Sequence, residues 1–338
     1  MSQLQVTPEE YLTQIIMSED SVLLVEGSDD EIFFTLLYNR LKEYYSKSSV
    51  EKLKILKKVR IDTAEEIQAP LGNREKVELV CKLALRADYK DACQKILGFV
   101  DREFREFDYT KLLQDKVNGH KIDGRLIWAN GHSIENYFFD ISTFKETFNT
   151  YPITSFYLEA FHLFESKFTD ILKIACCLSL AAHSTNLCKL VGDTLDWKCI
   201  EIKSQSMQLN TTEWETRLKK KNLDQTRIDT IINEFNKNLD IVSTSHIEVV
   251  RLLSHGHIGF NLMFAVYGKC LYTVCVYNSI ANPDKEANKI NENKHMRFSL
   301  CAKAWNINNQ LQLELSDSVD FPLRCFYLLI KEHLNLSS

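Results

Sequence analysis

Five acids stand where this 338-residue chain could gather a cation: Glu26, Asp30, Asp101, Glu103 and Glu135. Glu26 closes the apolar run Val22-Leu23-Leu24-Val25. Asp101 closes a second run from Ile96 to Val100 and is followed by Glu103, while Glu135 comes after Leu126-Ile127-Trp128 and a turn at Asn130-Gly131. Short apolar runs of this kind read as strands buried on both faces. In a parallel sheet, acids that follow separate strands converge on one edge although they are far apart in sequence. Carboxylates crowded together repel, and their pKa values rise unless a cation neutralises them. Such hard oxygen donors suit Mg²⁺ or Mn²⁺, which can activate water and stabilise the charge that builds up on a phosphodiester during cleavage. The competing reading is that these are ordinary solvated acids at strand and helix ends. His132, three residues before Glu135, could protonate a leaving oxygen or contact phosphate, or it could be a turn histidine. His255 and His257 could touch phosphate or ligate a softer metal, or simply begin a helix. Lys219, Lys220 and Lys221 could attract phosphate or form a solvated charge run. Trp128, Phe138 and Phe139 follow buried spacing and are assigned to the core.

The elements that must position these groups follow from periodicity. Gly27 permits a tight exit from the first strand. Asp29, Asp30 and Glu31 then crowd acid into the first turn of a helix whose Phe33, Leu36, Leu37 and Leu41 recur at helical spacing. Before it, Glu9 to Met17 reads as a short amphipathic helix; after it come a weak strand at Val59 and Ile61 and a helix from Arg74 to Asp88. Ser133 is a helix cap that places Glu135 in a first turn. The fold class expected is α/β, a parallel-rich sheet flanked by helices over residues 1–140, with a large, mainly helical region over 141–338. There, the aromatic and apolar stretch Tyr157 to Leu180 reads as helical. Residues 211–239 read as two helices around a basic hinge, with a capping box from Thr212 to Glu215 and with Ile228, Ile231, Ile232, Phe235 and Leu239 buried. A last helix begins near Asp320 and Pro322.

Composition narrows the classes. Hydrophobic residues at 45% and charged residues at 26% describe a chain folded nearly throughout. A formal net charge of −5 removes the simplest electrostatic argument for nucleic-acid binding and leaves only a local basic face. No apolar run approaches the roughly 20 residues that span a bilayer, and the start lacks a signal-peptide pattern, so a cytoplasmic location without membrane contact is expected. The 10 cysteines are scattered and never form Cys-x-x-Cys, which argues for reduced, mostly buried thiols.

The segment Val22 to Asp30 (VLLVEGSDD) resembles the first motif of the Toprim superfamily, a glutamate after a hydrophobic strand in the form Glu-Gly-x-x-Asp. Gly98 to Phe104 (GFVDREF) resembles its later Asp-x-Asp motif, with Glu103 where aspartate is usual. Together with Gly131 to Phe139 (GHSIENYFF), the trio is similar to a Toprim-like family encoded beside ATPases in bacterial defence islands, and most closely to the effector nucleases of PARIS anti-phage systems. The likeness covers roughly Val22 to Phe139. It implies a metal-dependent endonuclease of abortive infection that is released from a partner ABC-type ATPase and acts as a homodimer on RNA, with host tRNA the expected target. It also implies that Glu26 is the principal metal-binding or acid/base residue, that Asp101 and Glu103 bind Mg²⁺ or Mn²⁺, that Asp30 is either a further metal ligand or a helix-start acid, and that Glu135 is a further acid beside His132. On the same resemblance a basic residue from a later helix, His257 or Lys269, completes the site. The alternative is a non-catalytic Toprim-like subunit that binds and regulates the ATPase. A Toprim enzyme of DNA topology is disfavoured because the chain lacks a strand-passage or zinc-binding signature.

Overall fold

The computed structural model describes residues 5–151, 154–203, 206–309 and 312–335. The described residues fall into two compact units that interleave along the chain: one within Met1–Arg102, Gly119–Asn130 and Asn306–Ser338, the other within Glu103–Asn118 and Gly131–Trp305. The units are therefore not separated by a single cut near residue 140, and the C-terminal segment belongs with the sheet rather than with the helical region.

The first unit is built on a five-stranded sheet. Its strands are β1 (Ser21–Val25), β2 (Val59–Thr63), β3 (Ile96–Val100), β4 (Lys121–Asp123) and β5 (Leu126–Trp128), in the spatial order β2-β1-β3-β5-β4. All pairings are parallel except β4 with β5. Every residue of β1 and of β3 is buried, as their unbroken apolar runs require. The pleat divides their side chains. Val22, Leu24, Ile96 and Val100 face a core completed by α1 (Pro8–Met17) and α3 (Asn73–Ala84), which contribute Tyr11, Leu12, Ile15, Val77 and Val80. On the opposite side Phe99 meets Phe34 edge-on at 4.9 Å. Phe34 lies on α2 (Ser28–Ser48), and it also meets Phe326 of the helix Arg324–Asn335. Gly98 lets α3 approach β3 closely: a Cβ there would lie 2.7 Å from Val77 Cγ1 and closer still to Cys81 Sγ.

The second unit is mainly helical. Its centre is α5 (Gly256–Tyr277), packed against α4 (Phe168–Thr185) and against the helix Tyr157–Ser166. The stretch expected to be helical from Tyr157 to Leu180 is thus helical, as two helices broken at Lys167. The expected helix pair around the basic hinge is Thr211–Lys220 and Gln225–Thr244, but the cap of the first is Asn210, whose side chain accepts from the N–H of Glu213. In the second helix, Leu239 is exposed and Ile232 only half-buried, so the buried stripe is Ile228, Ile231, Phe235 and Val242. Small antiparallel pairs at Phe107–Asp108 with Gln114–Asp115, and at Ile200–Ile202 with Met207–Leu209, carry no clear alternation in the sequence and were not expected.

One expectation about membranes is corrected. α5 is long and apolar enough to cross a bilayer by length and composition, although 72% of its most apolar window is buried inside the protein. Its apolar character is explained by packing on every side. All ten cysteines are free, and all but Cys93 and Cys188 are buried.

Candidate functional site

In the sheet unit, the ends of two neighbouring parallel strands bring Glu26 and Asp101 together. The backbone N–H of Asp101 donates to Glu26 Oε1 at 2.7 Å, and both residues follow directly on fully buried strands. The register of β1 and β3 pairs Leu24 with Gly98, so each acid lies just beyond the hydrogen-bonded stretch at the carboxyl edge. Asp30 is buried and accepts from the N–H of Gly27 at 3.2 Å, which makes it the acid that closes the first turn of α2. Between the motif acids lies Arg102, fully buried, with Nη1 donating to the carbonyl of Asn130 at 3.0 Å. Sequence reading passed over it; its position between two acids was the available signal. His120 stacks on Phe321 at 4.2 Å, and burial, with Arg102 adding to it, pushes its pKa down to about 3.

The remaining predicted residues gather in the helical unit. Glu103 has a left-handed backbone (φ 54°), a conformation that costs a non-glycine residue of order 1 kcal/mol or more. Its N–H donates to the carbonyl of His132 at 2.7 Å, and its charge acts on His183 and Cys188. The ring of His132 meets Phe104 edge-on at 4.8 Å and lies 4.4 Å from that of His255. Phe104 in turn stacks on His183 at 4.0 Å. His183, on α4, is a residue that sequence reading did not single out, because it is one polar position in a strongly apolar helix. Burial, with some help from His257, holds the pKa of His255 down at about 4.

Glu135 is the centre of this second group. Ser133 and Glu135 belong to a 3₁₀ turn at Ile134–Phe138 rather than to an α-helix, and the turn is closed by Asn136, whose Oδ1 accepts from the N–H of Ser133 at 2.8 Å. The Asn136 amide also donates to the carbonyls of Arg251 and Ser254, at 2.7 and 2.9 Å, which ties the turn to the segment leading into α5. Ser133 Oγ donates to Glu135 Oε2 at 2.6 Å, and His257 Nδ1 lies 2.9 Å from Glu135 Oε1. Burial alone would raise the Glu135 pKa. His257 and the Ser133 hydroxyl outweigh it and hold the carboxyl down at about 2, so it is ionised at neutral pH. Gly256 makes this possible: a Cβ there would fall well inside 3 Å of both Ser133 Oγ and the Glu135 carboxylate. The carboxylate therefore sits against the first turn of α5, where the helix dipole favours negative charge.

Chemically, Glu135 accepts from Nδ1 of His257, whose side chain is 69% exposed. Ser133 bonds to the carboxylate rather than to the imidazole, so the trio lacks the arrangement that activates a serine nucleophile.

The other expected residues have structural surroundings. Lys269 is half-buried, with its ammonium 5.0 Å from the ring of Tyr272 and 5.9 Å from that of Trp197. The run Lys219 to Lys221 is exposed, and Lys219 pairs with Glu215 at 2.7 Å. Phe138 and Phe139 are core residues, whereas Trp128 is half-buried under the Lys121 ammonium at 4.4 Å.

Among the described residues no group of three or more His, Cys, Asp or Glu side chains is arranged to hold a metal ion. Mg²⁺ requires less from the protein, since one or two carboxylates suffice where water and substrate phosphates supply the other oxygens. Glu26 and Asp101 fit that smaller donor set. The chain matches no protein-family model and no curated protein.

Proposed function

We propose that this chain is a metal-dependent, Toprim-type endonuclease that cuts RNA, with tRNA as the target class, as the effector of an anti-phage system whose ABC-type ATPase holds it until infection. The observation that carries the reading is the meeting of Glu26 and Asp101 at the carboxyl ends of adjacent parallel strands. Those two residues would hold Mg²⁺ or Mn²⁺, with Glu103 as the third acid of the motif. The ion would supply Lewis-acid stabilisation of charge on the phosphodiester. The chain's own contribution is positioning: the Asp101 N–H fixes Glu26. The defence context, the ATPase, the homodimer and tRNA itself rest on the motif resemblance.

The test is cleavage of total RNA by the purified full chain with Mg²⁺ or Mn²⁺, compared with Glu26→Ala. Loss of at least about 10²-fold in rate with an unchanged melting temperature is expected, the scale seen when one electrostatic contributor to a transition state is removed. Equal cutting by both proteins contradicts the assignment. No cutting by either, with stoichiometric binding to the ATPase, favours the non-catalytic regulatory subunit.

A further inference from the structure

A recess of about 150 Å³ opens in the helical unit, away from Glu135 in sequence and chemistry. It is walled by Gly192 to Trp197, by Asn261 and Ala265 on α5, and by Ile290 to Arg297. Asn261 Nδ2 donates to the Gly192 carbonyl at 3.3 Å, which joins two of the walls.

Arg297 is the informative residue. It is 7% exposed, and the central carbon of its guanidinium lies over Phe264, 4.5 Å from the ring centroid. Nη2 donates to the carbonyl of Ile290, which also accepts from the Tyr151 hydroxyl at 3.0 Å. Nε is buried and has no hydrogen-bond partner among the described residues. Among the described residues no carboxylate pairs with this guanidinium, although an arginine remains charged in a protein and a buried charge without a counter-charge is costly. Lys294 lines the same recess; burial first and the Arg297 charge second lower its pKa, while burial lowers that of Arg297. Of the two acids on the walls, Asp196 is already engaged, pairing with Arg217 at 3.3 Å and accepting from the N–H of Lys198 at 3.1 Å. Asp193 stands exposed at the rim.

We propose that this recess binds a phosphate oxyanion, held by the Arg297 guanidinium and the Lys294 ammonium, with Asn261 and Asn291 available to hydrogen-bond its remaining oxygens. A recess of about 150 Å³ has room for a phosphate group. The phosphate is either inorganic or the terminal group of a monoester. The arginine fork pairs with carboxylate and phosphate alike, but phosphate carries more charge and more oxygens and so can engage the lysine ammonium as well. The site is independent of the nuclease reading, since it uses none of Glu26, Asp101, Glu135 or His257.

Calorimetric titration and thermal unfolding of the full chain test this with inorganic phosphate, adenosine 5′-monophosphate, acetate and chloride at equal ionic strength. Phosphate or the monophosphate should raise the melting temperature above the chloride control, and acetate should not; whichever of the two binds at least about tenfold tighter identifies the source. Lys294→Ala, at an exposed position, should weaken phosphate binding by about tenfold without lowering the ligand-free melting temperature. Arg297→Met should abolish the phosphate response and, because it removes an uncompensated buried charge, leave the ligand-free protein as stable or more stable. A phosphate response no larger than that of chloride, or one unchanged in Lys294→Ala and Arg297→Met, overturns the proposal.

Discussion

The sheet unit and the helical unit each hold a buried or half-buried acid by quite different means. Glu26 is delivered by a strand whose five residues are all buried, and it is fixed by a backbone N–H from the neighbouring strand. Glu135 is fixed by side chains: Ser133 two residues away and His257 from the start of a helix that begins more than a hundred residues later. A backbone-held acid depends on the sheet and tolerates changes in its neighbours. A side-chain-held acid is only as secure as each partner, and it carries the full cost of burial when one is lost.

This difference predicts a graded set of outcomes, the largest at the glycines. Gly256→Ala presses a methyl group into a buried carboxylate and the hydroxyl bonded to it, neither of which can leave without breaking the cluster. Gly98→Ala presses on apolar and thiol side chains, Val77 and Cys81 of α3 and, less closely, Leu126 of β5. Urea midpoints should show Gly256→Ala destabilised by about 3 kcal/mol and Gly98→Ala by about 1–2 kcal/mol. The opposite ranking would remove the distinction between the two units.

Next in size is the loss of a partner. His257→Ala leaves Glu135 charged and buried, at a cost of about 1–2 kcal/mol, kept small because water can partly replace the exposed imidazole. Glu135→Gln in the same background should recover part of that loss, and a double-mutant cycle measures the coupling. Additive effects would mean that the imidazole does not support the carboxylate.

A pH series sharpens the same point. The folded pKa of Glu135 lies below its ordinary value of 4.5, so its contribution is fully present above about 4.5 and is lost as pH falls toward about 2. Denaturant unfolding across that window should show a smaller loss of stability for Glu135→Gln than for the parent. Equal slopes would contradict the depressed pKa. The smallest effect belongs to Lys219→Ala, which removes one exposed i,i+4 pair and should change stability by no more than about 0.5 kcal/mol.

The same contrast explains what the sequence disclosed. Apolar runs closed by acid at Glu26 and Asp101 are local signals, and the sheet places those residues where the runs end. The mixed α/β class was legible for that reason. The helical unit is held by contacts between distant residues: the break at Lys167, the exposure of Leu239 and the engagement of His183 with Phe104 depend on what packs nearby, which periodicity within one helix does not report. Burial on all sides likewise erased the amphipathic signature of α5. Asp30 shows the reverse case, since an acid three residues beyond a strand-ending glycine is as good a first-turn acceptor as it is a ligand.

The most direct test of the central proposal is binding of Mn²⁺ to the full chain, followed by electron paramagnetic resonance in the parent, in Glu26→Gln and in Asp101→Asn. The account predicts a bound ion in the parent and affinity at least about tenfold weaker in each variant, the loss expected when one of two carboxylate ligands becomes neutral. Equal Mn²⁺ affinity in all three proteins would contradict it.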